Sequence, residues 1–577
     1  RSKLFPFTML LRLHPTARRP WMVLAVLWAL VGVVFARAFG FPFVDWDDSR
    51  FILSNPLVTH PLGTPAIDRL LTPQMGYIVP VTTLFGAVLY YLGGASPVPF
   101  HLACLLLHGV TVSLVFIVAR RGSPNDLAAG MSAALFAFHP LVVEPVCWAT
   151  GMKELLMASL ALGATALFVG GVEREIGGRP SAGLLVPAQL LGIASMLAKP
   201  VSVLLGVVWL AYLWSRSRSE RTGRRGWRAA VVVLLGGVGL AGFNALMRRL
   251  QIADAQGPIA TGRFELLTAF GHHLHHALWP LHLHPAYAAE RTAGFSDWHT
   301  VLGLAGVGAV GALLVACRRR SEVLLGLLLG VLAYLPVSQV VAFPRFVADS
   351  YLYLPLAAAA VAMAPLLGRC HLRSAGRYVL LGVGALLLLS LPCAMRQTDR
   401  WRSNENLWVP LARAEPDWEQ PWQMLGQGFM FEGRAAEAAQ SYEQLFARAY
   451  APQLLVNLGQ SLAAAGRLVD AECVLVEDIH RGPNRRRARH NLALLLVSEP
   501  KYQPRYQAAA LESLAWARGA RAGGLTWPTS LVARIEPRLT ALVRQASHRE
   551  RITEPWPSRA CSPLRVPRRD PEWLGTR

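Results

Sequence analysis

The sequence predicts an all-α polytopic membrane protein of about 11 transmembrane helices, followed by a solenoid of short helical repeats. Three observations carry this. Hydrophobic residues make up 53% of the 577 positions and charged residues only 16%. Apolar runs of about 18 residues recur and are divided by short arginine-rich loops, as membrane orientation requires. Beyond Arg396 these runs stop and a new period of 33–34 residues begins. The net charge of +22 belongs to the loops between spans, so it does not point to nucleic acid.

Arg12, Arg18 and Arg19 precede the first apolar run, residues 21–39, and place the amino end in the cytoplasm. That run is longer than the roughly 7–15 apolar residues of a signal peptide, so it reads as an uncleaved helix. The stretch 66–94 is ambiguous. A span there would put Arg120-Arg121 outside, so an interfacial amphipathic helix is preferred. Further spans follow near 99–119, 127–143, 153–171, 183–198, 200–214, 228–246, 299–317, 322–341, 350–367 and 377–394. The carboxyl end is thereby expected outside. The seven cysteines show no CxxC or metal-ligand spacing, and no disulfide framework is expected.

In the last third, Trp422-x-x-Leu425-Gly426-x-x-Phe429 precedes Gly433-Arg434, Ala438 and Tyr442. Leu458-Gly459, Gly466-Arg467 and Ala471 follow one period later, then Leu492-Ala493. Small residues at this spacing let paired helices pack closely, the tetratricopeptide signature. The expected domains are 1–396 (membrane), 397–547 (repeats) and a disordered Pro/Arg-rich tail, 548–577.

The chemistry gathers at the outer ends of the spans. Asp45, Asp47 and Asp48 stand within four positions in a chain with only 35 acidic residues. Adjacent carboxylates raise a pKa or invite a cation, the setting of a general base; a solvated acidic turn is the bland alternative. Lysine is confined to Lys3, Lys153, Lys199 and Lys501. Lys153 and Lys199, with Glu144 and Asp349, fall on the face of the acidic loop, where an ammonium could hold a phosphate or simply snorkel. His272 and His276 share a helix face and so resemble a metal site. No HExxH, cysteine or nearby carboxylate set completes a shell, so interfacial packing is preferred and no metal is assigned.

Trp46-Asp47-Asp48 with Asn55-Pro56 resembles the aromatic-Asp-Asp…Asn-Pro motif of the transmembrane and tetratricopeptide-repeat glycosyltransferases. Ala137-Phe138-His139-Pro140 with Glu144, Trp148 and Lys153-Glu154 is similar to their His-Pro…Glu…Trp…Lys-Asp segment, and Ala198-Lys199-Pro200 to their Ser-Lys-Pro. Ala348-Asp349-Ser350-Tyr351-Leu352-Tyr353-Leu354-Pro355 resembles their Ala-(Asp/Glu)-Arg-Tyr-x-Tyr-Leu-Pro. The resemblance runs from about residue 20 to 480, in matching order.

It implies a C-type glycosyltransferase fold, a polyprenyl-phosphate sugar donor and an acceptor presented outside the cytoplasm. Protein Ser/Thr would accept a hexose such as mannose, with the protein in the inner (plasma) membrane of a bacterial-type cell. No cofactor is firmly implied, and a divalent cation stays open. In this reading Asp47 or Asp48 is the base. Lys153, Lys199 and Arg345 hold the donor phosphate, and His139, Glu144, Asp349, Tyr351 and Tyr353 line the pocket. The repeats would hold a polypeptide acceptor, and membrane lipids surround the spans. Ser350 departs from the family's Arg, so either Arg345, Lys199 or the loop bearing Arg263 and Arg291 compensates, or activity is weakened. The competing readings are a non-catalytic membrane-anchored scaffold for envelope assembly and, ranked last, a transporter. A transporter calls for mid-span charges that are scarce here.

Overall fold

The computed structural model describes residues 20–61, 78–123, 125–217, 224–252, 264–288, 294–340, 345–371, 376–448 and 451–481, with the single positions 70 and 491. The first part, 66–77, of the interfacial helix expected over 66–94, the basic amino end, the third repeat, Arg263, Arg291 and the tail lie outside them. The chain divides into two compact units, the second beginning at Asn404.

Among its described residues the first unit is built of helices joined by turns and loops. Helix α1 spans Pro20–Phe35. The acidic loop then turns into a one-turn helix α2, Pro56–Thr59. Asn55 caps α2 by accepting from Leu57 N at 3.1 Å, and Pro56 opens it where no N–H is needed. The Asn-Pro pair is thus a helix start. Next come α3 (Pro80–Gly93), α4 (Val98–Gly122), α5 (Asp126–Ala137) and the short α6 (Val143–Cys147). Helices α7 (Met152–Ile176), α8 (Ala182–Ala198), α9 (Leu205–Ser217) and α10 (Arg224–Ile252) follow. The unit closes with α11 (Glu265–Leu278), α12 (Trp298–Cys317), α13 (Ser321–Tyr334), α14 (Tyr353–His371) and α15 (Gly376–Arg400).

Among the described residues, eight helical stretches are long and apolar enough to cross a membrane, or nine if a bent pair counts as one span. Residues 182–198 and 321–337, expected as spans, are apolar helices of shorter length. Exposed Val26, Val33, Leu235, Val238, Val307, Leu388 and Leu389 on these helices suit contact with lipid, where all backbone polar groups must be satisfied within the helix. Helix α3 packs against α2, α4 and α8, and Thr82 donates to the Ala198 carbonyl at 2.7 Å.

Two breaks differ from the expected straight spans. The run expected at 127–143 bends by 56° between α5 and α6. Pro140 supplies no N–H there, and His139 Nδ1 accepts from Leu141 N at 3.3 Å, replacing a helical bond with a side-chain cap. At the end of α8, Lys199 is extended (φ −157°, ψ 130°) because Pro200 excludes the helical conformation before it. Both breaks place polar residues at helix ends.

The core is held by close contact. Helix α14 packs across α4, α5 and α13. Phe168 and Trp209 stack at 4.2 Å, and Trp148 and Trp401 at 6.0 Å. Gly271 of α11 and Gly303 of α12 let two backbones touch. A Cβ on Gly271 would strike the His299 carbonyl, and one on Gly303 the Leu267 carbonyl.

The second unit holds α16 (Asn404–Ala414), α17 (Glu419–Phe431), α18 (Ala435–Arg448), α19 (Leu455–Ala464) and α20 (Leu468–Arg481). Each helix packs on the next. Gly426 abuts Tyr442 and Gly459 abuts Leu475, with 2.7 Å between the ring or branch and the position a Cβ would take. Gly433 and Gly466 both sit at φ 78°, a left-handed turn that other residues adopt only with strain. The arginine after each glycine reaches an acid three positions on, Arg434 to Glu437 and Arg467 to Asp470. The 33-residue period is therefore one hairpin built twice.

The cysteine expectation needs one correction. Cys473 is disulfide-bonded, whereas among the described residues Cys104, Cys147, Cys317 and Cys393 are free. Spacing alone could not reveal it, because a bridge joins residues that only folding brings together.

Candidate active site

The acidic loop separates its three carboxylates by environment. Asp48 is fully buried. Its Oδ1 accepts from Thr150 N at 2.9 Å and from Thr150 Oγ1 at 2.5 Å, and its Oδ2 from Val44 N at 3.1 Å. Burial pushes its pKa up to about 7; the three hydrogen bonds only partly offset this, and the neighbouring Asp47 charge adds to it. Asp45 accepts from Ser49 Oγ, one helical turn on. Asp47 instead faces Lys153 Nζ at 3.6 Å, with both side chains about a fifth exposed (23% and 19%).

Three cations meet around this loop, each matched to a carboxylate. Lys153 pairs with Asp47 and lies 4.8 Å from the centre of the Trp148 ring. Lys199 pairs with Glu154; both are buried, and the ammonium stands 5.5 Å over the Tyr351 ring. Arg345 Nη1 donates to Glu144 at 2.9 Å and Nη2 to the Pro285 carbonyl at 2.5 Å, and the guanidinium lies 5.2 Å over Trp46. Burial pulls Arg345 down, but Glu144, Tyr351 and Asp349 together outweigh it, and the guanidinium is held above its ordinary value. Lys199 lies within electrostatic reach of both Lys153 and Arg345. Consecutive residues Trp46 and Asp47 therefore touch cations from two distant segments.

A second carboxylate group adjoins Glu144. Asp349 is buried, accepts from Tyr287 Oη at 2.7 Å and has His276 Nδ1 at 3.6 Å. Burial and then the Asp349 charge raise the Tyr287 hydroxyl well above its usual range. His139 Nε2 donates to the Ala277 carbonyl at 3.0 Å, one residue after His276. The loop carrying Arg345 and Asp349 is fixed by His273, within 3.2 Å of the Ala348 carbonyl, and by Gln339, whose Nε2 donates to the Arg345 and Phe346 carbonyls at 3.0 and 3.1 Å. Gln339 adopts φ 70°, a left-handed conformation uncommon for a side chain of this kind.

Asp47, Asp48, Lys153, Lys199, Arg345, Glu144, Asp349 and Tyr351 thus form one connected group, with His139 at its edge. Tyr353 stands apart. Its hydroxyl meets His108 Nδ1 at 2.8 Å, and its ring packs on Phe136 at 5.2 Å, within the helix core. Sequence reading passed over Thr150, Tyr287 and Gln339, which carry no motif. Glu154 was visible beside Lys153, but nothing in the sequence assigns it to Lys199. His272 has Asp297 and His299 as neighbours, a carboxylate and an imidazole that proximity in sequence did not offer.

No family model matches the chain. It is 34% identical over 162 residues to the protein O-mannosyl-transferase Tmtc1 of Drosophila melanogaster, covering 24% of this chain and 18% of that protein. Identity to the Drosophila Tmtc2 protein O-mannosyl-transferase is 28% over 219 residues, 36% of this chain and 23% of that one. The human protein O-mannosyl-transferase TMTC4 is 34% identical over 170 residues, 24% of this chain and 22% of its own. The apo crystal structure of an Archaeoglobus fulgidus oligosaccharyltransferase superposes with a TM-score of 0.40 at 12% identity, covering 66% of this chain and 56% of that one, too loosely to carry an argument. The matches span less than a quarter of each curated relative. Within those matches, the resemblance drawn from the motifs stands: this chain is similar to protein O-mannosyl-transferases of the transmembrane and tetratricopeptide-repeat kind.

Proposed function

We propose that the protein is a membrane glycosyltransferase that moves a hexose from a polyprenyl-phosphate donor to a hydroxyl, with protein Ser/Thr as the acceptor. One observation carries the reading: Asp47 lies beside Lys153 in a partly open ion pair, while the other two pairs are closed or anchored. Lys199 and Glu154 are 6% and 3% exposed, and Glu144 is 1% exposed under Arg345. The names of the three relatives support the same chemistry.

The division of labour follows from exposure. A donor phosphate arriving at Lys153 competes with Asp47 for the ammonium, because a charge-assisted bond to phosphate replaces one to carboxylate. Asp47 is then released to accept the proton of the attacking hydroxyl as the anomeric carbon inverts. Arg345, stacked on Trp46 and 22% exposed, is the second cation for the leaving phosphate. Asp48, saturated with hydrogen bonds, is a positioning residue that ties the loop to Thr150. Lys199 serves the fold by neutralising Glu154 beneath Tyr351. The paired helices of the second unit are tetratricopeptide repeats in this reading, offering their groove to a polypeptide. The bridged Cys473 supports an oxidising, non-cytoplasmic location for them.

The test is reconstitution with a synthetic polyprenyl-phosphate mannose and an acceptor peptide, read by mass spectrometry for sugar on the peptide. Transfer that is lost in Asp47→Asn supports the assignment. Donor turnover that persists at the wild-type rate in Asp47→Asn overturns it. If neither mannose nor another polyprenyl-phosphate hexose is transferred by the wild type, the transferase reading itself fails.

A further inference from the structure

On the flank of this site, α11 and α12 place two imidazoles and a carboxylate together. His272 Nδ1/Nε2, an Asp297 oxygen and an His299 ring nitrogen all lie within 4.8 Å of one another. The His272 and His299 rings are face to face, 3.5 Å between centroids and 15° between planes. Asp297 Oδ2 is 4.0 Å from His272 Nε2, and its Oδ1 is 2.9 Å from His299 Nδ1. None of the three is a free surface side chain, their exposures being 14%, 17% and 15%.

The two helices set where the donors stand. Asp297 is the N-cap of α12, accepting from His299 N at 2.9 Å. His299 therefore lies in the first turn of that helix. His272 follows Gly271, at which α11 rests directly on the His299 carbonyl. The helix cap explains the Asp297–His299 contact but not His272, which comes from a different helix and completes the set.

We propose that His272, Asp297 and His299 bind one divalent transition-metal ion of the Zn²⁺ class. Two neutral imidazoles and one carboxylate make a borderline N₂O donor set that suits Zn²⁺, and it lacks the six or more oxygens that Ca²⁺ takes. Binding rotates the stacked rings apart so that their lone pairs converge on the ion, and it releases any proton from the ligating nitrogens. Asp297 keeps one oxygen for its cap and gives the other to the metal. Three protein ligands leave a fourth position for water or for His276, whose ring centre is 6.3 Å from that of His272. His276 also stands 3.6 Å from Asp349. An ion in the triad thus adds positive charge beside the candidate active site and clamps α11 to α12. This proposal does not depend on the transferase reading.

The experiment uses the full chain purified in detergent without a histidine tag, stripped with a chelator and titrated with Co²⁺, then Zn²⁺. One equivalent of Co²⁺ should bind with visible ligand-field absorption that Zn²⁺ displaces. His272→Gln and His299→Gln should each lose more affinity than the roughly 10–100-fold typical of losing an outer-shell partner. His275→Gln, a neighbour outside the triad, should bind as the wild type does. Asp297→Asn keeps a good helix cap while removing the charge, so it separates loss of the ion from loss of the fold. Absence of stoichiometric binding, unaltered binding in both His272→Gln and His299→Gln, or an equal loss in His275→Gln overturns the proposal.

Discussion

Asp47 and Asp48 are neighbours in different surroundings, one paired with Lys153 and partly exposed, the other buried against Thr150. Asp47→Asn should lower turnover by about 10²–10⁴-fold, the usual worth of a general base. Donor affinity, measured by equilibrium binding, should hold or rise, because removing the carboxylate frees Lys153 for phosphate. Asp48→Asn should act on stability. Its native pKa of about 7 exceeds the ordinary 3.8, so the folded state binds more protons than the unfolded state between those values. Stability from this group is complete below about pH 4 and declines as pH rises through about 7. Thermal melts across that window should show the decline in the wild type and a flatter curve in Asp48→Asn. Lys199 and Glu154 form a closed buried pair, so Lys199→Met should destabilise by about 3–5 kcal/mol by stranding a carboxylate. Adding Glu154→Met should recover most of that loss, which a donor-binding lysine would not allow. Ser350 is buried at 3% exposure, so Ser350→Arg must displace packed neighbours. It should lower the melting temperature and leave transfer unrestored, contrary to what the motif alone suggests.

Helix ends decide where these residues stand. The bend at His139-Pro140 turns α6 so that Glu144 meets Arg345, and the Lys199-Pro200 stop lets the ammonium reach Glu154. Pro140→Ala should restore a helical N–H and straighten the bend, separating Glu144 from Arg345. A drop in both transfer and melting temperature, read on the same preparation, is the expected outcome, because Glu144 is left buried without its cation. In the second unit, Gly433→Ala and Gly466→Ala place a Cβ in a left-handed turn. Each should cost about 1–2 kcal/mol, measured by chemical denaturation of the full chain.

For the whole molecule, the arrangement of basic loops sets an orientation that reporter fusions can read. Asp48 and residue 420 should report from the non-cytoplasmic side and Arg224 from the cytoplasm, following the bias of arginine toward inner loops. Residue 420 in the cytoplasm would remove the paired helices from the side of the acidic loop and rule out the proposed role for them in acceptor binding. Deleting residues 415–577 should leave the membrane unit folded and reduce transfer to a long polypeptide more than to a short peptide. Equal transfer to both would leave the paired helices without a part in recognition.

The sequence by itself determined the helical class, most of the apolar spans and the 33-residue period, because each is a local pattern of burial with a fixed repeat. It also singled out Lys153, Lys199, Glu144 and Asp349, since charge is costly near a membrane and its survival there is conspicuous, and Asp47 and Asp48 by their clustering, while Arg345 entered only through the family resemblance. What it could not assign was who faces whom. Lys199 and Lys153 look alike in the sequence, yet one is closed on Glu154 and the other is half-open to Asp47. Tyr351 and Tyr353 share a motif, yet the turn into α14 sends one to the site and the other to His108. His272 meets Asp297 and His299 only because Gly271 and Gly303 let two helices touch. Pairing and exposure depend on contacts between segments far apart in the chain, and those contacts exist only once the helices pack.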